Sequence, residues 1–276
     1  MIARWLKLQF RQLLRACGLE VRRIHPSGGS GRERTSLAEM LRQIKQLGAA
    51  PAYVVDVGAA YGSFTRECAA IFPDACYLLV EPLAEYRSSL AALKCSMPTA
   101  RYVCAAASSR SGEIAINVHP DLLGSSLLRE VETGTDVNGV PRYVRAVTVD
   151  RLIEETGAKG PFFLKVDVQG AEVDVLQGAE ALLKETEYVI LEVSFFKFFE
   201  DGPEFSDIVA YMKTRGFVLY DITGLQYRPL DNALSQADVA FVKDSGMFRR
   251  EHFYATPAQR AAQNQRIQTH LHDLLS

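Results

Sequence analysis

The densest run of reactive side chains is Phe162-Phe163-Leu164-Lys165-Val166-Asp167-Val168-Gln169-Gly170-Ala171-Glu172. Its apolar, β-rich start reads as a buried strand running into a helix. Polar groups at its end therefore face a cleft at the carboxyl edge of a sheet, where open α/β folds bind ligands. Strand alternation puts Lys165 and Asp167 on one face and Val166 on the other. One strand step apart, they form either a structural ion pair or a general base with its electrostatic partner. Asp167 is the leading catalytic candidate, supported by Lys165 and by Glu192. Glu192 is the comparable polar residue of the next strand, in Leu191-Glu192-Val193-Ser194-Phe195. His119 is a third base candidate because imidazole titrates near neutral pH, although a single loop histidine is usually just surface.

A second string, Val54-Val55-Asp56-Val57-Gly58-Ala59-Ala60-Tyr61-Gly62-Ser63, is again a strand, a small-residue turn and a helix start. Gly58 and Gly62 let the backbone approach a ligand, and the helix N-terminus offers unpaired amides. A dinucleotide fingerprint needs G-x-G-x-x-G, and Ala60 and Ser63 stand at its second and third glycines. The string instead fits D-x-G-x-A-x-G. A carboxylate at Asp56 is awkward for pyrophosphate but suits the ammonium of a methionyl group, because unlike charges attract strongly in a partly desolvated cleft. The string favours S-adenosylmethionine over NAD, and a ligand-free tight turn is the structural alternative. Glu81, directly after the next strand and followed by Pro82, can accept hydrogen bonds from both hydroxyls of a ribose. It marks a nucleoside without separating the two cofactors. Ala106-Ala107-Ser108 leave room for a flat adenine, although such residues are common in any loop.

These strings need a scaffold, and the chain supplies one. From Ala52 to Lys243, short apolar runs alternate with helical segments, the signature of a parallel sheet covered on both faces. The expected strands are Tyr53 to Val57, Cys76 to Val80, Arg101 to Ala105, Phe162 to Val166, Tyr188 to Val193, Phe217 to Asp221 and Val239 to Val242. The expected helices are Leu37 to Leu47, Ser63 to Ile71, Ala84 to Lys94, Val149 to Glu155, Ala171 to Leu183, Ser206 to Arg215 and Ala258 to Leu275. Residues 112–148 break the alternation. Ile114 to Val118 and Tyr143 to Val147 flank a Gly-, Asp- and Ser-containing stretch, as an inserted β-hairpin or lid would.

The 276 residues are 48% hydrophobic and 23% charged, a globular composition that excludes intrinsic disorder and a Cys-stapled miniprotein. A net charge of −2 gives no whole-surface field for nucleic acid. The charge is polarised, however. Through Arg34 there are eight basic residues against two acidic ones, Glu20 and Glu33. In Ile2 to Cys17 the apolar and basic residues recur on nearly opposite helical faces, an amphipathic pattern that either docks on the domain or lies on an anionic bilayer. Ser27-Gly-Gly-Ser-Gly31 follows as a flexible linker. Five cysteines without a C-x-x-C pair suggest a reducing cytoplasm. Scattered histidines give no metal site, and no stretch reaches the ~18 apolar residues of a membrane span.

Taken together, Val55-Asp56-Val57-Gly58-Ala59, Leu164 through Glu172 and Val175-Leu176-Gln177-Gly178-Ala179 resemble the FkbM-type methyltransferases. Supporting strings are Ser111-Gly112-Glu113, Thr148-Val149-Asp150-Arg151-Leu152, Leu191-Glu192-Val193 and Gly216 to Asp221. Where many members carry Glu, this chain has Gln169, which removes a negative charge from the cleft. The resemblance implies a Rossmann-like class I methyltransferase fold with a seven-stranded, mostly parallel sheet, and S-adenosyl-L-methionine as methyl donor. It implies O-methylation of a hydroxyl on a sugar, glycan or polyketide-like metabolite. Asp56, Gly58, Ala59, Tyr61, Gly62 and Ser63 are then expected at the methionyl part and turn, Glu81 and Pro82 at the ribose, and Ala106 and Ala107 beside the adenine. Residues 112–148 and the aromatic run Phe195, Phe196, Phe198 and Phe199 are expected around the acceptor. The expected organisation is a basic helix and linker over 1–34, a methyltransferase domain over 35–246 with its core at 52–244, and a helical tail over 247–276. An NAD-dependent oxidoreductase and a non-catalytic binding protein are the alternatives. The expected location is the cytoplasm, with the basic helix able to meet the inner face of the membrane.

Overall fold

The computed structural model describes residues 36–132 and 134–275. The basic amphipathic segment and its linker lie outside the described residues. One compact unit spans Thr35–His252. Its main sheet contains β1 (Tyr53–Val57), β2 (Cys76–Val80), β3 (Ala100–Val103), β7 (Phe162–Val166), β8 (Thr186–Ser194), β9 (Phe217–Tyr227) and β10 (Leu234–Lys243) in the order β3-β2-β1-β7-β8-β10-β9. The first five strands run parallel, and β10 pairs antiparallel with both β8 and β9. The strand order reverses between β1 and β7, and such a switch point opens a crevice at the carboxyl ends of those strands.

The two faces of this sheet bury two separate cores, because strand neighbours point to opposite sides. Val55, Leu164 and Leu191 belong to one core, and Val54, Phe163 and Ile190 to the other. Every residue of β7 is buried, including Lys165, as expected of a central parallel strand covered on both faces. Helix α1 (Leu37–Gln46) packs Met40, Leu41 and Ile44 into the second core. It is capped by Ser36, whose side chain accepts a hydrogen bond from the Glu39 N–H at 3.3 Å.

The structure corrects several expected boundaries. The helix expected from Ala84 begins as a 3₁₀ turn, Ala84–Tyr86, before α3 (Arg87–Ser96). The single helix expected over Ala171 to Leu183 is two, α6 (Glu172–Gln177) and α7 (Glu180–Lys184). The break falls at Gly178, where an added Cβ would lie 2.1 Å from the Ser108 carbonyl oxygen. Asp150, on α5 (Val149–Thr156), then caps the second helix by accepting from the N–H groups of Ala181 and Leu182 at 2.9 and 2.8 Å. The last two sheet strands are much longer than their apolar runs, since each hydrogen-bonds the other across bulges.

The expected inserted hairpin is part of a three-stranded sheet. Strands β5 (Gly112–Val118) and β6 (Val140–Val147) pair antiparallel, and β4 (Ala106–Ala107), expected as a loop, joins β6 in parallel. A short helix α4 (Thr135–Asn138) stands between β5 and β6. Helices α2 (Ser63–Ile71) and α8 (Phe205–Thr214) complete the unit, with a 3₁₀ turn at Met247–Arg249. The terminal helix α9 (Pro257–Leu275) belongs to a second unit and places Ile267 and Leu271 four residues apart on one face. Among the described residues no helix is long and apolar enough to cross a membrane.

Candidate active site

A cavity of about 490 Å³ opens at the carboxyl ends of β1, β2, β7 and β8. Its first wall is the turn after β1. Gly58 has φ +77°, and an added Cβ would lie 1.8 Å from the Asp167 carbonyl oxygen. The glycine is therefore demanded by the protein's own backbone, which brings the ends of β1 and β7 together. Gly62 is a correction: it does not line the cavity. Its φ of +80° starts α2, and a Cβ there would meet Leu93 at 2.7 Å, so its smallness serves helix packing. Asp56, Gly58, Ala59, Tyr61 and Ser63 all line the cavity.

Glu81 fixes this turn. Its Oε2 accepts a hydrogen bond from the Ala60 N–H at 2.9 Å and its Oε1 one from the Leu83 N–H at 2.8 Å. Burial pushes its carboxyl up to about 7, against the pull of those two donors. Pro82, Ala106 and Ala107 line the cavity beside it, the alanines being buried. Asp56 lies deeper and is fully buried. Its Oδ2 accepts from the Thr65 hydroxyl at 2.6 Å, while its Oδ1 has no hydrogen-bond partner among the described residues. Burial raises its carboxyl despite the Lys165 charge and the Thr65 hydrogen bond.

The second wall is polar. Lys165 Nζ lies 2.8 Å from Asp167 Oδ2. Burial pushes the lysine down, but the Asp167 and Asp56 charges outweigh it and hold it above its ordinary value. Asp167 is raised by burial, and the Lys165 charge and hydrogen bond more than offset this, keeping the carboxyl below its usual range. Gln169 Nε2 donates to Asp167 Oδ1 at 3.2 Å and to Glu192 Oε2 at 2.7 Å, so its amide bridges two carboxyls that would otherwise repel. Glu192 also accepts from Gln226 Nε2 at 3.0 Å and Gln236 Nε2 at 3.2 Å. Burial, reinforced by the Asp167 charge, pushes Glu192 up to about 8.

The third wall is the cap between β5 and β6, which contributes Leu122, Leu123 and Leu127. It is fastened to the reactive strand by the Ser126 hydroxyl, which donates to the Gln169 carbonyl at 2.6 Å. Among the described residues four that are not glycine have positive φ: Ala60, Leu122, Gln169 and Asn232. Three of them line this cavity. Backbone strain of this kind concentrates at functional sites.

The structure thus gathers Asp167, Lys165 and Glu192 in one cavity with the Gly58 turn and Glu81. It leaves out His119, which pairs with Asp121 at 2.7 Å and does not line the cavity. It also leaves out the aromatic run. Phe195 stacks on Phe205 with centroids 4.9 Å apart, Phe196 lies under the Arg228 guanidinium at 3.8 Å, Phe198 tilts against Phe196, and buried Phe199 packs where a Gly170 Cβ would sit. Those phenylalanines are packing residues. Gln226 and Gln236 escape a reading of the sequence because each lies outside the apolar run of its strand. Alternation carried beyond those runs is the signal that could have found them. Among the described residues no group of three or more His, Cys, Asp or Glu is arranged to hold a metal ion.

With this arrangement in view, the chain can be set beside known proteins. The Methyltransferase FkbM domain matches residues 56–219, more than half of the chain, and the chain belongs to that family. Among solved structures it is similar to methyltransferase FkbM from Methylobacillus flagellatus KT, at 14% identity and TM-score 0.46, covering 68% of this chain and 43% of that one. The chain therefore spans less than half the length of that protein. It is also similar to magnesium protoporphyrin IX methyltransferase from Synechocystis PCC 6803, solved with bound SAM, at 12% identity and TM-score 0.43, covering 75% and 76% of the two chains. A third likeness is to precorrin-6y C5,15-methyltransferase from Geobacter metallireducens GS-15, at 9% identity and TM-score 0.42, with 77% and 92% covered. No curated protein matches the sequence significantly.

Proposed function

We propose that this protein is an S-adenosylmethionine-dependent O-methyltransferase acting on a hydroxyl of a sugar, glycan or polyketide-like metabolite. The observation that carries the reading is the placement of the Glu192–Gln169–Asp167 network in the same cavity as the Gly58 turn and Glu81. The residues present fit the cofactor. The buried Asp56 Oδ1 without a partner suits an ammonium, and the carboxylates Asp56 and Asp167 suit a cationic donor. Ala106 and Ala107 line the cavity with small side chains that suit a flat adenine. When bound, S-adenosylmethionine supplies a methyl group already activated by its sulfonium.

The rest falls to the chain. Asp56, Gly58, Ala59, Tyr61 and Ser63 hold the methionyl part, with Glu81 and Pro82 at the ribose. The cap excludes water, and alignment of acceptor oxygen with donor methyl is worth up to ~7 to 11 kcal/mol in ideal cases. Glu192 Oε takes the acceptor's hydroxyl proton, a role worth roughly 10² to 10⁴-fold. Its carboxyl at about 8 matches that task better than Asp167, which Lys165 keeps ionised and weakly basic. Asp167 and Lys165 then set the charge around Glu192.

Calorimetry with S-adenosylmethionine, S-adenosylhomocysteine and NAD tests the reading. Both sulfur nucleosides are expected to bind and NAD is not. Binding of NAD alone would sink the proposal. An untargeted search for methylated products with the purified protein then identifies the acceptor.

A further inference from the structure

The wall of the cavity farthest along the chain is built by residues beyond the family-matched segment 56–219. Gln226 on β9 and Gln236 on β10 both line the cavity. Each donates through Nε2 to Glu192, at 3.0 Å to Oε1 and 3.2 Å to Oε2 respectively. A glutamine amide carries two donors and an acceptor oxygen. Holding Glu192 fixes the nitrogen end of each amide, and among the described residues the Oε1 atoms of Gln226 and Gln236 have no hydrogen-bond partner. The antiparallel pairing sets Gln236 opposite both Ser194 on β8 and Gln226 on β9, so the two amides stand on adjacent strands. Gln236 Nε2 also donates to Gln169 Oε1 at 3.5 Å, so the wall offers mainly acceptors: two amide oxygens beside the Glu192 carboxyl, with the ionised Asp167 in the same wall.

We propose that Gln226 and Gln236 are the acceptor-reading residues of this site, taking the hydroxyls that neighbour the reacting one on an uncharged polyol. The proposal rests on the methyl-transfer reading above. Hydroxyl groups donate to amide oxygens, whereas a carboxylate group placed among them offers only acceptors and negative charge to a wall rich in acceptors. Unpaired polar groups and like charges are what make such a wall selective. The cofactor half takes no part in this discrimination, since its contacts come from β1, β2 and β4.

The test uses the full chain saturated with S-adenosylhomocysteine. The side-chain amide resonances of Gln226 and Gln236, assigned from the Gln226→Leu and Gln236→Leu variants, are followed during titration with glycerol, myo-inositol and methyl glycosides. Methyl glucuronide is the anionic counterpart. At least one neutral polyol is expected to shift both amides, and the glucuronide at least about fivefold less. Each leucine variant is expected to weaken that polyol by about fivefold or more while S-adenosylhomocysteine affinity stays within about threefold. Equal response to the glucuronide, no response to any polyol, or undiminished polyol binding in both variants would overturn the proposal. Failure of the wild-type chain to bind S-adenosylhomocysteine would instead overturn the methyl-transfer reading on which it rests.

Discussion

Glu81, buried, and Glu192, half-buried, stand at strand ends of one cavity, and the protein holds them in opposite ways. Glu81 is gripped by two backbone N–H groups, those of Ala60 and Leu83. Glu192 is held by three side-chain amides, from Gln169, Gln226 and Gln236. A backbone cage is blind to substitution of the residues that form it, so the Glu81 end is a fixed feature of the turn. A side-chain cage can be rebuilt one residue at a time. On the proposed assignment, the cofactor end is thus rigidly specified and the acceptor end adjustable.

The sharpest way to break this comparison is to replace the carboxyl of each glutamate in turn. Glu192→Gln is expected to lower turnover by roughly 10² to 10⁴-fold, with S-adenosylhomocysteine affinity almost unchanged. Equal loss of both would place Glu192 in the cofactor half. Glu81→Ala is expected to do the reverse, weakening S-adenosylhomocysteine by about 1 to 3 kcal/mol in calorimetry. Glu81→Gln should be no milder, because an amide nitrogen would then face one of two backbone donors. Unimpaired binding in either variant would remove Glu81 from the cofactor site.

The smallest effect is on stability. The carboxyls of Glu81 and Glu192 are raised from an ordinary 4.5 to about 7 and about 8 by burial first of all. Between those values the folded chain keeps protons that the unfolded chain has released, so their contribution is greatest at acidic pH and is lost as pH rises through about 7 to 8. The thermal midpoint is expected to fall between pH 5.5 and 8.5, by about 2–4 °C for each kcal/mol lost. Glu192→Gln should flatten the upper part of that slope. A midpoint that climbs over this range would contradict both assignments.

Contiguous strings carry most of what the sequence makes legible. Tyr53–Val57, Cys76–Val80 and Phe162–Val166 are strands with the boundaries their apolar runs suggest, because a central parallel strand is buried along its whole length. The Gly58 turn, Glu81 and the Lys165–Asp167 step are likewise local patterns. Strand β9 was less legible. Its apolar run suggests an end at Asp221, yet β9 runs on to Tyr227 through pairing with β10. Gly62 shows another limit: a glycine required by helix packing has the same sequence signature as one required by a ligand.

The sequence by itself determined the class of fold, the strand-to-turn strings at the switch point and the carboxylates at the strand ends, since burial and alternation act over a few neighbouring residues. Only the tertiary structure decided that Gln169, Gln226 and Gln236 converge on Glu192, that Ser126 fastens the cap to Gln169, and that His119 and the phenylalanine run stay outside. Those contacts join residues far apart in the chain, and their geometry follows from sheet order and register rather than from local pattern.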